Sequence, residues 1–94
     1  MNQNIKVSNH LTLVQKNELI KYGIDVVFLN YNNYLVIPAS YQVVSKKSGD
    51  NTYTTITNDN IIITINKKET NYHSYCYIFI SVNGIETNKY LIND

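Results

Sequence analysis

The chain has 94 residues, of which 44% are hydrophobic and 16% are charged, and its formal net charge is +1. This composition is typical of a single globular domain over residues 1–94 and excludes an intrinsically disordered chain. The weak net charge and the lack of arginine also argue against a protein that relies on neutralising phosphates to bind nucleic acid.

The amino-acid usage is strongly biased. Asn, Ile, Tyr, Lys and Phe fill 47 of the 94 positions, whereas Gly, Ala and Pro together fill only five. The first group has A/T-rich codons, so we expect a source with an A/T-rich genome, such as a virus, a phage or a low-GC bacterium. The same bias lowers the functional weight of any single Asn or Tyr.

Cysteine usage and hydropathy predict the compartment. Cys76 is the only cysteine and cannot form an internal disulfide, which favours a reducing environment. The polar segment before Leu13 lacks the apolar run of a signal peptide, and the longest apolar runs are too short to span a membrane. We therefore expect a soluble protein of the cytoplasm, or of the host cytoplasm if the source is viral, with no membrane partner.

The first predicted element is a helix over Leu13–Tyr22. Thr12 and Gln15 have the spacing of a capping box, in which each residue hydrogen-bonds the other's backbone amide. Gly23 follows the segment at the position where a left-handed cap ends many helices.

After Gly23 the chain alternates between turn residues and segments rich in β-branched and aromatic residues. The predicted strands are Ile24–Leu29, Tyr34–Ile37, Tyr41–Lys46, Thr52–Thr57, Ile61–Asn66, Asn71–Val82 and Ile85–Ile92. Asn83-Gly84 gives the strongest hairpin signal, and the short connections favour antiparallel neighbours. The sequence therefore predicts an α+β fold. One N-terminal helix precedes a mostly antiparallel sheet of about six to seven strands, a meander that can curl into a sandwich or barrel.

The longest predicted strand is apolar on both faces. Alternation places Cys76, Ile78, Ile80 and Val82 on one side and Tyr75, Tyr77 and Phe79 on the other. One short helix covers only part of one sheet face. A second sheet layer, barrel closure, a symmetry mate or a partner must cover the rest.

The sequence offers no catalytic set. His73 and Cys76 are three residues apart, so on a strand they point to opposite faces and cannot share a metal or a proton. The carboxylates are scattered along the chain, and three glycines in separate turns do not make a phosphate-binding loop. We predict no catalytic residue, metal or cofactor, and rank an enzyme last.

Two lysine pairs are candidate binding residues. Lys46-Lys47 and Lys67-Lys68 each open a predicted hairpin tip, and both tips should emerge at the same end of the sheet because one turn, Asn58–Asn60, lies between them. They can bind phosphate or an acidic partner weakly. The alternative is that lysine flanks these tips only because they are solvated.

The nine tyrosines are the other candidates, above all Tyr72, Tyr75 and Tyr77 with the neighbouring Phe79. Tyrosine is favoured at interface hot spots and can stack on single-stranded bases. Ordinary packing on a sheet accounts for the same pattern equally well.

Together these patterns predict a small interaction protein that binds another protein, or itself as a homodimer, through a tyrosine-bearing sheet face or an edge strand. An accessory protein of a virus or phage fits the composition, and a host-defence inhibitor similar to an anti-CRISPR is one such role. The candidate interaction residues are Tyr72, Tyr75, Tyr77, Phe79, Lys46, Lys47, Lys67 and Lys68. The alternative is a small nucleic-acid-binding domain that uses the lysine tips and the tyrosines.

Overall fold

The structure, a computed structural model, describes the backbone of residues 3–93 and the side chains of residues 3–92. The chain divides into two compact units, Met1–Ala39 and Ser40–Asp94. Each unit contains its own antiparallel sheet. The elements are β1 (Gln3–Lys6), α1 (Leu13–Lys21), β2 (Asp25–Leu29), β3 (Asn32–Ile37), β4 (Gln42–Ser48), β5 (Asn51–Asn58), β6 (Ile61–Glu69), β7 (Ser74–Val82) and β8 (Ile85–Asn93).

The helix α1 begins at the predicted residue, Leu13, and ends at Lys21, one residue before the predicted end. The Gln15 amide donates to Thr12 Oγ1 over 3.2 Å, and the Thr12 amide donates to Gln15 Oε1 over 2.9 Å, which completes the capping box. At the other end Gly23 has φ +83°, and the Ile24 amide donates to the Leu19 carbonyl. Leu19 and Ile24 are both fully buried, so the cap also brings two apolar side chains into the core.

The sheet of the first unit has the order β1-β3-β2. Strand β1 is missing from the sequence-based prediction because Gln3–Lys6 contains a single apolar residue, Ile5, which pairs with Leu35. Its pairing is continued by Asn33, whose amide and side-chain Nδ2 both donate to the Ser8 carbonyl. A strand of this kind is defined by a distant partner and not by its own residues.

The hairpin β2–β3 has a shorter turn than predicted. Asn30 and Tyr31 form a two-residue turn with φ of 51° and 64°, while Asn32 and Asn33 already belong to β3. Positive φ at both central residues defines the type I′ geometry that suits the twist of paired strands. Asn tolerates this conformation readily, but Tyr31 does so at some cost in strain.

The second unit is a five-stranded meander in the order β4-β5-β6-β7-β8. Two-residue turns join three of the four strand pairs, including the predicted Asn83-Gly84 turn with φ of 55° and 78°. The connection from β6 to β7 is longer and is closed by Thr70, whose hydroxyl donates to the His73 carbonyl over 2.9 Å.

The predicted α+β class is confirmed, but the single sheet is wrong. Residues 3–93 form eight strands in two sheets, compared with the predicted single meander of about six to seven. Strand β1 is one strand more than predicted. Pro38 follows the last residue of β3 and has no backbone N–H to donate, so the chain leaves the first sheet there, before the second sheet begins. That residues 1–94 fold as one domain, and that the sheets form a sandwich or barrel, stay predictions.

One face of the five-stranded sheet carries a buried layer of apolar side chains. Its members are Ile56, Ile63, Ile65, Cys76, Ile78, Ile80 and Ile92. The register pairs Ile63 with Ile80 and Ile65 with Ile78, so the central strands β6 and β7 contribute most of the layer. Each fully buried isoleucine contributes about 1.5–3 kcal/mol through removal of its apolar surface from water. This layer fixes which side chains point to the other face.

Removing the helix cap tests the role of Thr12. In Thr12→Ala, the Gln15 amide loses its acceptor, so we expect the free energy of unfolding to fall by about 1 kcal/mol. Urea denaturation followed by circular dichroism measures the change. Thr12→Ser keeps the hydroxyl and should stay close to the wild type. An equal loss in both variants would contradict the role of the cap.

Candidate functional site

The five-stranded sheet has a second face that is only partly covered. The pairing register places Tyr53, Asn66, Tyr77 and Leu91 side by side across four strands, from β5 to β8. Because side chains alternate along a strand, residues two positions away share this side. We call it the open face, and define it by Val44, Lys46, Tyr53, Thr55, Ile62, Thr64, Asn66, Lys68, Tyr75, Tyr77, Phe79, Ser81, Glu86, Lys89 and Leu91.

An aromatic ladder runs along β7 at the centre of the open face. Tyr75 and Tyr77 meet edge-to-face with ring centroids 5.3 Å apart, and Tyr77 stacks on Phe79 at 5.9 Å. Such pairs each contribute about 0.5–1.5 kcal/mol beyond the area they bury. The three rings are half-buried, so they are held by one another and still present aromatic surface to solvent.

Exposed apolar side chains flank this ladder on both sides. Val44, Tyr53, Ile62 and Leu91 are between 42% and 57% exposed and come from β4, β5, β6 and β8. Leu91 is paired directly with Tyr77 of the ladder, whereas Asn66 separates Tyr53 from it and Thr55 and Thr64 separate Val44 from it.

The structure splits each predicted lysine pair between the two faces. Lys46 lies beside Tyr53 on the open face, whereas Lys47 points to the opposite side. Lys68 pairs with Tyr75 on the open face, whereas Lys67 points to the opposite side, where its Nζ lies 3.4 Å from the Glu69 carboxylate.

The placement of the lysine pairs at hairpin tips is wrong, because β4 and β6 extend beyond their predicted ends. Strand β4 continues to Ser48 and β6 to Glu69, so all four lysines lie within strands. The predicted position at one end of the sheet is confirmed, since Lys47 and Lys67 both pair with Thr52 of β5.

A third lysine joins the open face from β8. Lys89 pairs with Phe79, and its Nζ lies 5.5 Å from the centre of the Phe79 ring. A cation over an aromatic face contributes about 0.5–1 kcal/mol at an exposed site. The sequence-based prediction missed Lys89 and Leu91 because a bulge at Thr87 shifts the register of β8.

Tyr72 does not belong to the ladder. It is 93% exposed and lies between β6 and β7, in the turn where the Thr70 hydroxyl accepts from the Tyr72 and His73 amides. Asp50, Glu69, Thr70, Asn71 and Tyr72 line a shallow depression of about 440 Å³ there. The four aromatic candidates therefore divide into three ladder rings and one separate turn residue.

The residues that suggested metal or thiol chemistry do not come together. Cys76 is buried, whereas His73 is exposed in the preceding turn. Among the residues that the structure describes, no three of His, Cys, Asp and Glu are close enough to hold a metal ion.

The first unit has its own exposed apolar residues. On α1 these are Leu13, Val14 and Ile20. On its sheet, Val27, Leu29, Tyr34 and Val36 line a depression of about 200 Å³ together with Asn4 and Asn30. This depression is small beside the cavities of about 300–1,000 Å³ that usually hold ligands.

In the part of the chain covered by residues 3–93, the helix that is present is neither long nor apolar enough to cross a membrane. The chain matches no protein-family model, and no curated protein or solved structure is significantly similar to it.

Asn66 provides a test of how the open face is built. Its Oδ1 atom is buried and has no hydrogen-bond partner among the described residues, an arrangement that costs stability. We expect Asn66→Val to raise the free energy of unfolding by about 1 kcal/mol, because valine removes the unpaired group and favours a strand.

Chemical denaturation of both proteins measures this difference. Asn66→Thr is the matched control, since it has the same branching as valine but keeps a polar atom and should gain less. A loss of stability in Asn66→Val would show that the amide is satisfied in solution.

Proposed function

We propose that this protein is a small, non-enzymatic binding protein that attaches to another protein through the open face of its five-stranded sheet. The observation that carries the proposal is the aromatic ladder of Tyr75, Tyr77 and Phe79 on a face that also carries exposed apolar side chains. No catalysis, metal or cofactor is part of it.

The size of the open face supports a macromolecular partner. Its five strands have seven to nine residues each. With strands about 4.8 Å apart and residues about 3.4 Å apart, they cover roughly 600 Å². Each partner in a stable protein complex contributes about 800 Å², so this face supplies most of one side of such an interface.

The side-chain chemistry supports a protein partner. Tyrosine combines a large apolar ring with a hydroxyl and loses little entropy when it is fixed, which is why it is common at interface hot spots. Val44, Ile62 and Leu91 extend the apolar surface, and burying them against another protein is favourable by about 25 cal/mol per Å².

The composition supports a biological setting for this binding. The A/T-rich codon usage and the length of 94 residues fit an accessory protein of a virus or phage acting in the host cytoplasm. Inhibition of a host defence system, as by anti-CRISPR proteins, is one role that requires only binding.

A single-stranded nucleic acid is the second candidate partner. The observation that favours it is that Lys46, Lys68 and Lys89 share the open face with the ladder, since stacking rings and cations together bind single strands. The exposed aliphatic side chains and the net charge of +1 favour a protein instead.

The predicted homodimer stays a prediction. Pairing two open faces would bring Lys46, Lys68 and Lys89 of both copies into one interface, where like charges repel. The exposed side chains of α1, namely Leu13, Val14 and Ile20, offer a separate surface for self-association.

Site-specific photo-crosslinking in cells that naturally contain the protein tests the proposed function. A benzoylphenylalanine in place of Tyr53 lies on the open face, and the same group in place of Tyr31 lies in an exposed turn of the other unit. We expect a discrete protein adduct from the Tyr53 position and not from the Tyr31 position.

Mass spectrometry identifies the adduct, and Tyr77→Ser should abolish it because the centre of the contact surface is lost. Adducts of equal yield from both positions, or none from position 53, would contradict the proposed function.

A further inference from the structure

We infer that the partner protein presents an acidic rim around an apolar centre to the open face; this inference rests on the proposed function. Two observations carry it. Strand alternation places Lys46, Lys68 and Lys89 on the open face, and these lysines lie around its apolar residues.

The charges of the open face lie around its apolar centre. Lys46 is on β4 and Lys89 on β8, the two edge strands, and Lys68 is near the end of β6. Lys46 ends the row that contains Tyr53, Tyr77 and Leu91, and Lys68 and Lys89 lie in the rows on either side of it. An apolar centre with a polar rim is the usual anatomy of a protein interface, and here the rim is basic.

The positive charge is concentrated on this face. Among the described side chains, three lysines share it with one carboxylate, Glu86, which pairs with Ser81. The whole chain carries only +1, so the open face is more basic than the rest of the molecule. The partner that complements it carries aspartate or glutamate opposite these lysines.

The same arrangement argues against the other occupants. A second copy would face Lys46, Lys68 and Lys89 with the same three lysines. A nucleic acid would use the lysines and the rings but would leave Val44 and Leu91, each more than half exposed, against a charged backbone. An acidic protein surface satisfies both the charges and the aliphatic side chains.

Neighbouring lysines on opposite faces supply matched controls. Lys46→Glu and Lys47→Glu change the net charge by the same amount, but only Lys46 lies on the open face. If only the total charge matters, both variants weaken binding equally. If the lysines of the open face matter, only Lys46→Glu weakens binding. Lys89→Glu provides a second open-face change on a different strand.

The test is a fluorescence-anisotropy titration with a labelled random copolymer of glutamate and tyrosine, which offers carboxylates and aromatic rings together. We expect binding that weakens about tenfold or more between about 50 and 300 mM NaCl, because exposed charges are screened by salt. Lys46→Glu and Lys89→Glu should each weaken binding about fivefold or more, and Lys47→Glu less than about twofold. Circular dichroism confirms that each variant is folded.

A labelled twenty-nucleotide oligothymidine and sedimentation velocity of the protein alone complete the experiment. Tighter binding of the oligothymidine than of the copolymer overturns the inference in favour of nucleic acid. A concentration-dependent dimer that Lys46→Glu alters but Lys47→Glu does not overturns it in favour of a second copy. Equal effects of Lys46→Glu and Lys47→Glu on copolymer binding would show that the lysines of the open face do not bind the acidic groups, which also overturns the inference.

Failure of this inference differs from failure of the proposed function. If the copolymer does not bind but the Tyr53 position still crosslinks to a protein, the partner surface is not acidic and the binding function stands. If neither result is obtained, the proposed function itself is wrong.

Discussion

The pairing of β6 with β7 is the constraint on which the rest of the second unit depends. Ile63 and Ile65 pair with Ile80 and Ile78, and all four are buried. A shift of one residue would turn these side chains to the other face, at a cost of about 1.5–3 kcal/mol for each isoleucine exposed. The fixed register forces the aromatic ladder outward. The half-buried rings on the open face are therefore a consequence of the core that lies behind them, and they carry the proposed binding.

The parts of the fold that could be predicted from the sequence are those determined by neighbouring residues. The Thr12 capping box, the left-handed Gly23 and the Asn83-Gly84 turn each depend on a few adjacent positions, and all three are confirmed. Strand β1 could not be predicted, since its four residues are mostly polar and its pairing depends on β3. The division into two sheets was missed because alternation within a strand does not identify the strand's distant neighbours.

On the open face, too, the sequence predicts what depends on neighbouring residues and not what depends on pairing between strands. Alternation alone placed the ladder rings together, but Lys89 and Leu91 depend on a bulge. A regular hairpin from Asn83-Gly84 would pair Phe79 with Asn88, whereas the structure pairs it with Lys89 because Thr87 is inserted and donates its hydroxyl hydrogen bond to the Ile80 carbonyl. Each lysine pair is divided between the two faces of the sheet, because residues adjacent in a strand never share a face.

The most direct test of the central claim is the reaction of single cysteines on β7 with a water-soluble thiol reagent. In a Cys76→Ser background, a cysteine replacing Tyr77 lies on the open face, one residue from the buried position of the native thiol. The fixed register predicts fast labelling at position 77 and, in the wild-type protein, slow labelling of Cys76 that accelerates only on unfolding. Similar rates at the two positions in the folded state would contradict it.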